Sequence, residues 1–315
     1  MNVPVSVLMP VFNGGKYLSA AIDSILTQTF REFEFLIVDD GSSDSTSKIL
    51  REYAHKDGRI RITSRENRGL VASLNELLAS AQGHLLARMD ADDISLPDRL
   101  ASQVTYMSGH PDVVCAGGHV EDVNEQGLRL SRREYPLDSD EIQQAALGGQ
   151  ACMCHPCFMM RREAVIAVGG YAPESFPAED LDLLLRLGEV GKLANLDRVI
   201  LKYRIHINSI SERTSLRQRQ VAQQVCQRAY RRRGLAVVTE APTEGISEPA
   251  LLRQHRLFLK YGWWAYNSRA RLSAIRYGFR AVRSRPSAGN AWMLLACALC
   301  KPFGRARPPK GLLPD

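Results

Sequence analysis

Three carboxylates in four positions, Asp90-Ala91-Asp92-Asp93, close a short apolar run, His84 to Met89, that reads as a buried strand. Like charges packed this tightly repel one another, and a divalent cation offsets the repulsion; an all-oxygen donor set suits Mg²⁺ or Mn²⁺. A cation held there could carry a diphosphate. Alone, Asp-x-Asp after a strand is as readily a solvated acidic turn, so its weight depends on the neighbouring strand ends.

Those ends carry chemistry too. Asp39 or Asp40, on a turn before Gly41, can accept a hydrogen bond from the imide N–H of a uracil base, which a neutral side chain would do less well. Pro10 and Phe12 offer an apolar wall, and Asn13 a further polar contact. By itself Asp-Asp-Gly-Ser is a turn signature. Glu179-Asp180 opens a helix with Asp182 just behind, where the helix dipole favours acids; the chemical reading is a general base that takes a proton from an attacking hydroxyl. Spacing does not choose between these carboxylates. His206, ending Tyr203-Arg204-Ile205-His206, could complete a metal shell or contact phosphate, although a lone histidine is more often structural. Arg88, a charge inside a buried-looking strand, either reaches out to solvent or pairs with a phosphate or carboxylate.

Positioning these groups requires a sheet. Val5 to Val11, Glu34 to Val38, Arg59 to Thr63 and His84 to Met89 are runs of strand length. Between them, Leu18 to Leu26, Asp44 to Tyr53 and Leu70 to Ala81 place apolar residues at helical spacing, with Ser43 or Asp44 as a cap for the second. The repeated β-α-β order predicts a parallel sheet covered by helices. Ligands of such sheets sit at the carboxyl ends of the strands, near a switch in strand order. The segments 10–13, 39–42, 65–69 and 90–93 fall at those ends, which predicts a nucleotide pocket. Further on, Leu100 to Met107 reads as a helix, Val113 to Gly118 as a strand, and the sequence to about Asp140 as a less regular acidic stretch. Phe158 to Val168 leads into Gly169-Gly170-Tyr171, and Asp180 to Leu187 is a helix preceded by Pro177. After His206 the pattern turns to Arg-rich helices, broken at Glu240 to Pro249. A boundary near residue 212 gives domains 1–212 and 213–315.

Charge divides the chain in the same way. Residues 1–200 carry 19 Lys and Arg against 29 Asp and Glu, and residues 201–315 carry 22 against 5, within a net charge of +7. A segment so basic attracts nucleic acid or an anionic membrane, more weakly as salt screens it. The interleaved Leu259, Tyr261, Trp263, Trp264 and Tyr266 suit an interfacial helix, so an anionic membrane surface is the expected partner and nucleic acid is not. Val3 to Val11 is too short for a signal peptide, which predicts a cytoplasmic protein, and Ala291 to Cys300 is about half a membrane span. Seven cysteines without secretory context predict reduced thiols. Cys152-x-Cys154-His155-x-Cys157 crowds four potential zinc ligands, but alternate residues of one strand face opposite ways and cannot converge. Cys297-x-x-Cys300 lacks a second ligand pair.

Six motifs in order, Pro10-Val11-Phe12-Asn13, Asp39-Asp40-Gly41-Ser42-Ser43-Asp44, Asn67-Arg68-Gly69, Arg88-Met89-Asp90-Ala91-Asp92-Asp93, Glu179-Asp180 and Tyr203-Arg204-Ile205-His206, resemble the inverting family 2 glycosyltransferases over roughly residues 4–212. The resemblance implies a GT-A fold, an α/β Rossmann-like and mostly parallel sheet flanked by helices, here with a basic helical C-terminal extension. It implies transfer of a sugar from a nucleotide-diphosphate donor, UDP-linked by expectation, to an acceptor hydroxyl, with Mn²⁺ or Mg²⁺ as cofactor. The acceptor class is a carbohydrate or lipid-linked saccharide in cell-envelope polysaccharide or glycolipid synthesis, met at the inner face of the membrane. By the same resemblance Asp39 or Asp40 is the uracil contact, Asp90 the ribose contact, Asp92 the metal ligand and Asp180 the base, with Glu179 beside it. Pro10, Phe12, Asn13, Asn67 and Arg88 are assigned to the nucleotide side, His206 to the metal, and His155 and Asp182 to the acceptor side, where His155-Pro156 and Arg161-Arg162 match. Phe12 stands where tyrosine is common, and Cys157 where threonine is common. Two rival readings fit the residues less well. A nucleotidyltransferase would need a basic Gly-rich loop after the first strand, for which Asn13-Gly14-Gly15-Lys16 is a poor substitute. A non-catalytic nucleotide-sugar scaffold working through its basic tail would not need all of Asp90, Asp92, Asp93, Glu179 and Asp180.

Overall fold

A computed structural model describes residues 3–206, 215–236 and 250–300. Four uninterrupted apolar runs form its central strands, because strands covered on both faces have no polar side to present. They are β1 (Val5–Val11), β2 (Phe33–Asp39), β3 (Ile60–Ser64) and β4 (Leu85–Arg88), separated by α1 (Leu18–Leu26), α2 (Thr46–Lys56) and α3 (Leu70–Ser80). All four run parallel, in the order β3-β2-β1-β4. The chain thus steps from β1 to one side twice and then crosses to the other, which puts the switch in strand order at β1. Register aligns the strand ends: Val11 is level with Asp39, and Leu8 with Arg88.

Beyond β4 come β5 (Ile94–Ser95), α4 (Arg99–Gly109), β6 (Val113–Val123), β7 (Arg129–Arg133), α5 (Ser139–Leu147), β8 (Met159–Arg161), α6 (Arg162–Ala167), α7 (Glu179–Leu187) and β9 (Lys192–Arg204). The sheet continues β4-β8-β6-β9-β5, and here β8 is antiparallel to β4 and β6, and β5 to β9. Two local expectations change. The acidic stretch after Gly118 is regular, since β6 runs on to Val123 and pairs with β7. Its charge density obscured this, but Asp122 is fully buried between the Arg133 guanidinium, with contacts of 2.6 to 3.1 Å, and the Ser131 hydroxyl. Helix α2 begins at Thr46, because Asp44 stays outside it and accepts the Thr46 N–H (2.9 Å).

The chain divides into two compact units, Met1–Val120 with Glu134–Lys202 and Thr214–Ala241, and Glu121–Arg133 with Tyr203–Arg213 and Pro242–Asp315. The boundary read near residue 212 and the break at 240–249 lie outside the described residues. Helix Ser215–Arg232 belongs to the first unit: Val225, Cys226 and Ala229 enter its core beside Leu183, Leu184 and Leu187 of α7.

In the second unit, helices Ala250–Asn267, Arg271–Ser284 and Gly289–Cys300 enclose a core of their own. Leu259, Tyr261, Trp263 and Tyr266 lie inside that core, which corrects their reading as a membrane-facing surface. Their spacing is that of a helix buried on most sides, and sequence cannot tell an interface with lipid from one with two neighbouring helices. A Cβ at Gly262 would lie 2.4 Å from Leu294 Cδ2, so glycine sets how closely two of these helices approach. Among the described residues no helix is long and apolar enough to cross a membrane.

Candidate active site

The loops after β1 and β2 are tied together by backbone amides and short polar side chains. Asn13, with φ at +51°, accepts the Ser43 N–H on its Oδ1 (2.8 Å) and donates its own N–H to Ser42 Oγ (2.9 Å). That clasp leaves Phe12 projecting, 55% exposed, while Pro10 is buried within β1 opposite Val38. Of the apolar wall expected from both residues, only the Phe12 ring is presented.

Asp39 and Asp40 are both buried, at 2% and 4% exposure, and differ in their partners. Asp39 accepts the Ser42 N–H on one oxygen (3.1 Å) and the Ser47 hydroxyl on the other (2.6 Å). Asp40 pairs with the Arg65 guanidinium and accepts the Arg68 and Gly69 N–H groups (2.8 and 2.9 Å). Asn67 donates its amide to the Asp40 carbonyl (2.9 Å), so it fastens this loop. Gly41 is obligatory between them: its φ is +77°, and a Cβ would meet Asn67 N at 2.7 Å.

At the end of β4, the carboxylate oxygens of Asp90, Asp92 and Asp93 lie within 4.8 Å of one another, the only group of three or more potential ligands among the described residues. Arg88 turns inward, 2% exposed, and pairs with Asp90. Of the two readings of Arg88, reaching solvent or pairing with an anionic group, the structure takes the second, with a carboxylate as the partner. Burial works against the Arg88 charge, but Asp90 outweighs it and holds the guanidinium protonated. Burial also raises Asp90 above the ordinary carboxylate range; Arg88 opposes that rise and the neighbouring Asp92 adds to it. Three hard oxygen donors crowded to the point of raising a pKa fit a hard divalent cation.

The N-terminus of α7 delivers the second pair of acids. Glu179 is 6% exposed and its Oε2 has no hydrogen-bond partner. Burial and the Asp180 charge push it up to about 8. Asp180 is half-buried, accepts the Leu181 N–H (2.8 Å), and is raised by its surroundings too, chiefly by burial. Arg88 and Asp90 both act on Glu179 and Asp180, so the fold brings the α7 acids within electrostatic reach of the β4 end across some ninety residues of chain.

Asp182 does not join them. Its Oδ2 accepts two bonds from Arg186 of the same helix (2.8 and 2.6 Å), and its Oδ1 faces Arg228 of helix Ser215–Arg232 at 3.5 Å. His155 is buried, its Nε2 is 2.7 Å from the Tyr171 hydroxyl, and burial followed by the Arg88 charge keeps it neutral. His206 falls in the second unit, where it is half-buried and lines a cavity.

Three supports had no role in the sequence reading. Arg65 bridges Asp40 and Glu76; fully buried Arg99 donates to the Arg88 carbonyl (2.7 Å); Tyr171 holds His155. Arg65 stands in the strand-end segment, a signal that was present, but nothing in the spacing marks Arg99 as buried. Cys152, Cys154 and Cys157 are buried, outside any disulfide, in a loop and a short 3₁₀ turn rather than a strand, and burial pushes Cys152 up to about 12, far from a thiolate ligand.

The raised Glu179 pKa has a stability consequence. The folded chain holds that proton more tightly than the unfolded chain, so stability falls as pH rises from the ordinary carboxylate range towards 8. Glu179→Gln removes this loss. It is expected to raise the melting temperature at pH 9 by about 2 to 4 °C for each kcal/mol relieved, and to leave it unchanged near pH 4. Calorimetry at the two pH values reads the difference; equal shifts at both would mean that Glu179 ionises normally.

Comparison with known proteins follows this geometry. The family model described as Glycosyl transferase family 2 matches residues 6–169. The O-antigen biosynthesis glycosyltransferase WbnJ of Escherichia coli is 34% identical over 216 residues, covering 67% of this chain and 83% of that protein. The amylovoran biosynthesis glycosyltransferase AmsE of Erwinia amylovora is 32% identical over 212 residues, covering 66% and 79%. Among solved structures, S. aureus TarS 1-349 in complex with UDP matches with a TM-score of 0.55 at 17% identity, over 94% of this chain and 88% of that one. The mannosyltransferase PcManGT from Pyrobaculum calidifontis, in complex with GDP-Man and Mn²⁺, also matches at 0.55, with 20% identity over 93% and 78%. These two likenesses speak for the GT-A fold alone.

Proposed function

We propose, from the premise that the chain belongs to glycosyl transferase family 2, that it moves a sugar from a UDP-linked donor to an acceptor hydroxyl with inversion at the anomeric carbon. The observation that carries the reading is the aspartate cluster at the end of β4, with its oxygens within 4.8 Å, in electrostatic reach of the Glu179-Asp180 pair.

Each residue then has a task. Asp39 is the better uracil contact, because each of its oxygens accepts one hydrogen bond and keeps acceptor capacity, whereas Asp40 is committed to Arg65 and two amides. The exposed Phe12 ring flanks the base, and Asp90, held by Arg88, faces the ribose. Asp92, with Asp90 and Asp93 beside it, would hold Mn²⁺ or Mg²⁺, which when bound supplies Lewis-acid stabilisation of the departing diphosphate. Asp180 takes the proton of the acceptor hydroxyl as the acceptor oxygen bonds to the anomeric carbon and the bond from that carbon to the diphosphate breaks. Two properties favour it over Glu179: it is the more open of the pair, and Glu179, at about 8, is itself protonated near neutral pH.

The relatives are named for O-antigen and amylovoran biosynthesis, which supports a carbohydrate or lipid-linked acceptor in bacterial surface polysaccharide synthesis. The reading puts the enzyme in the cytoplasm, at the inner face of the membrane. Residues 250–300 support an anionic partner, with nine Lys and Arg and no Asp or Glu. Calorimetric titration of UDP, GDP and dTDP into the whole chain, with and without Mn²⁺, tests the donor assignment. UDP is expected to bind, and only with the metal. Preference for another base would overturn the uridine assignment, and no binding at all would overturn the pocket.

A further inference from the structure

We propose that the second unit contains a binding site for a phosphorylated saccharide, in a cavity of about 470 Å³ lined entirely by its own residues. That volume is in the range of small-ligand sites, which combine an apolar lining with a few convergent polar groups. The lining has both. Phe258, Tyr261 and Tyr277 supply ring surface, and flat aromatic faces suit the C–H faces of a sugar. Arg280 and Arg283, both exposed and one helical turn apart, supply the cationic groups.

The two arginines are poised for an oxyanion. The Arg280 guanidinium carbon lies 5.6 Å from the centre of the Tyr277 ring and 5.9 Å from that of the Phe258 ring, within cation–π range of the aromatic lining. Glu125 shares the cavity, yet neither Arg280 nor Arg283 is ion-paired with any carboxylate among the described residues. Residues 250–300, which include both arginines, carry no acid, so the local field favours an anion. Guanidinium forks match phosphate oxygens in pairs. The Gln254 amide can both accept from and donate to sugar hydroxyls. Free phosphate would use only the arginines and a neutral sugar only the rings and polar groups; a phosphate on a sugar uses both. Binding in this cavity does not depend on the transferase reading.

The test is calorimetric titration of the whole chain with α-glucose 1-phosphate, inorganic phosphate and glucose, in saturating UDP and Mn²⁺ so that the probe cannot report on the donor pocket. Glucose 1-phosphate is expected to bind at least about tenfold more tightly than either fragment, and Arg283→Gln and Arg280→Gln each to weaken it by about tenfold, a loss of about 1.4 kcal/mol. Arg283 is exposed, so its variant keeps the fold; Arg280→Lys, which retains charge and loses the fork, should fall between. Unchanged affinity in both glutamine variants, or inorganic phosphate binding as tightly as glucose 1-phosphate, overturns the site. Sedimentation with phosphatidylcholine vesicles containing about 20% phosphatidylinositol separates the sources. Loss of sedimentation in Arg283→Gln assigns a lipid-borne headgroup, and no sedimentation beside intact glucose 1-phosphate binding assigns a soluble one. If UDP fails to bind while glucose 1-phosphate does, the transferase reading falls and this site stands.

Discussion

Asp92→Asn is expected to lower transfer by about 10² to 10³-fold, the loss of about 3 to 4 kcal/mol typical when one preorganised electrostatic contact to developing charge is removed. The reasoning runs through the cluster's crowding. Three carboxylates, each with an oxygen within 4.8 Å of the others' and Asp90 among them raised above its ordinary range, can take up a divalent cation at little cost in reorganisation. Removing the Asp92 charge reduces the attraction for that cation and at the same time relieves repulsion within the metal-free protein. Two readouts therefore move in opposite directions. UDP affinity measured with Mn²⁺ should fall towards its metal-free value, while the melting temperature without metal should hold or rise slightly. A melting temperature several degrees lower would mean that the variant lost activity by misfolding, and undiminished Mn²⁺-dependent UDP binding would remove Asp92 as a ligand.

Asp180→Asn is expected to reduce kcat by about 10² to 10⁴-fold, the range for loss of a positioned general base, with UDP binding in Mn²⁺ unchanged. An asparagine oxygen can still accept the Leu181 N–H, so the start of α7 should persist. The pH profile carries the sharper test. Asp180 must be deprotonated to act, and burial holds its pKa above the ordinary carboxylate range, so kcat in the wild type should fall on acidification at a higher pH than a free aspartate would give. In Glu179→Gln that acidic limb should stay in place, because Glu179, pushed up to about 8, is already neutral over the range in which Asp180 titrates. Near wild-type turnover in Asp180→Asn would transfer the role of base to Glu179.

Much of the catalytic framework was legible because parallel strands leave a local signature. Val5–Val11 and Phe33–Asp39 are buried along their whole length, and a strand hidden on both faces must be written as an apolar run. Helices α1 and α3 were legible for a related reason, since each turns a single apolar stripe to the sheet. The hairpin of β6 and β7 was not. Asp122 and Arg133 satisfy each other's charge in a buried pair, and before the pairing is known those residues look like a solvated loop. The aromatic run in Ala250–Asn267 failed in the opposite direction, because a helix packed on two neighbours and one lying on lipid share the same composition.

What the sequence by itself determined is the identity and order of the chemical groups: acids and amides at successive strand ends, in a pattern that only a parallel α/β sheet gathers on one edge. Tertiary structure alone decided which of them remain available. Asp40, Asp182 and His155 are as acidic or as basic in sequence as Asp39 and Asp180 or any other histidine, yet Arg65, Arg228 and Tyr171 reach them from other parts of the chain, with Arg186 one turn along α7 adding to the hold on Asp182. The physical reason is desolvation. A buried charge must find a partner or give up its ionisation, and both the partner and the depth of burial are properties of the packed chain, which residue spacing does not encode.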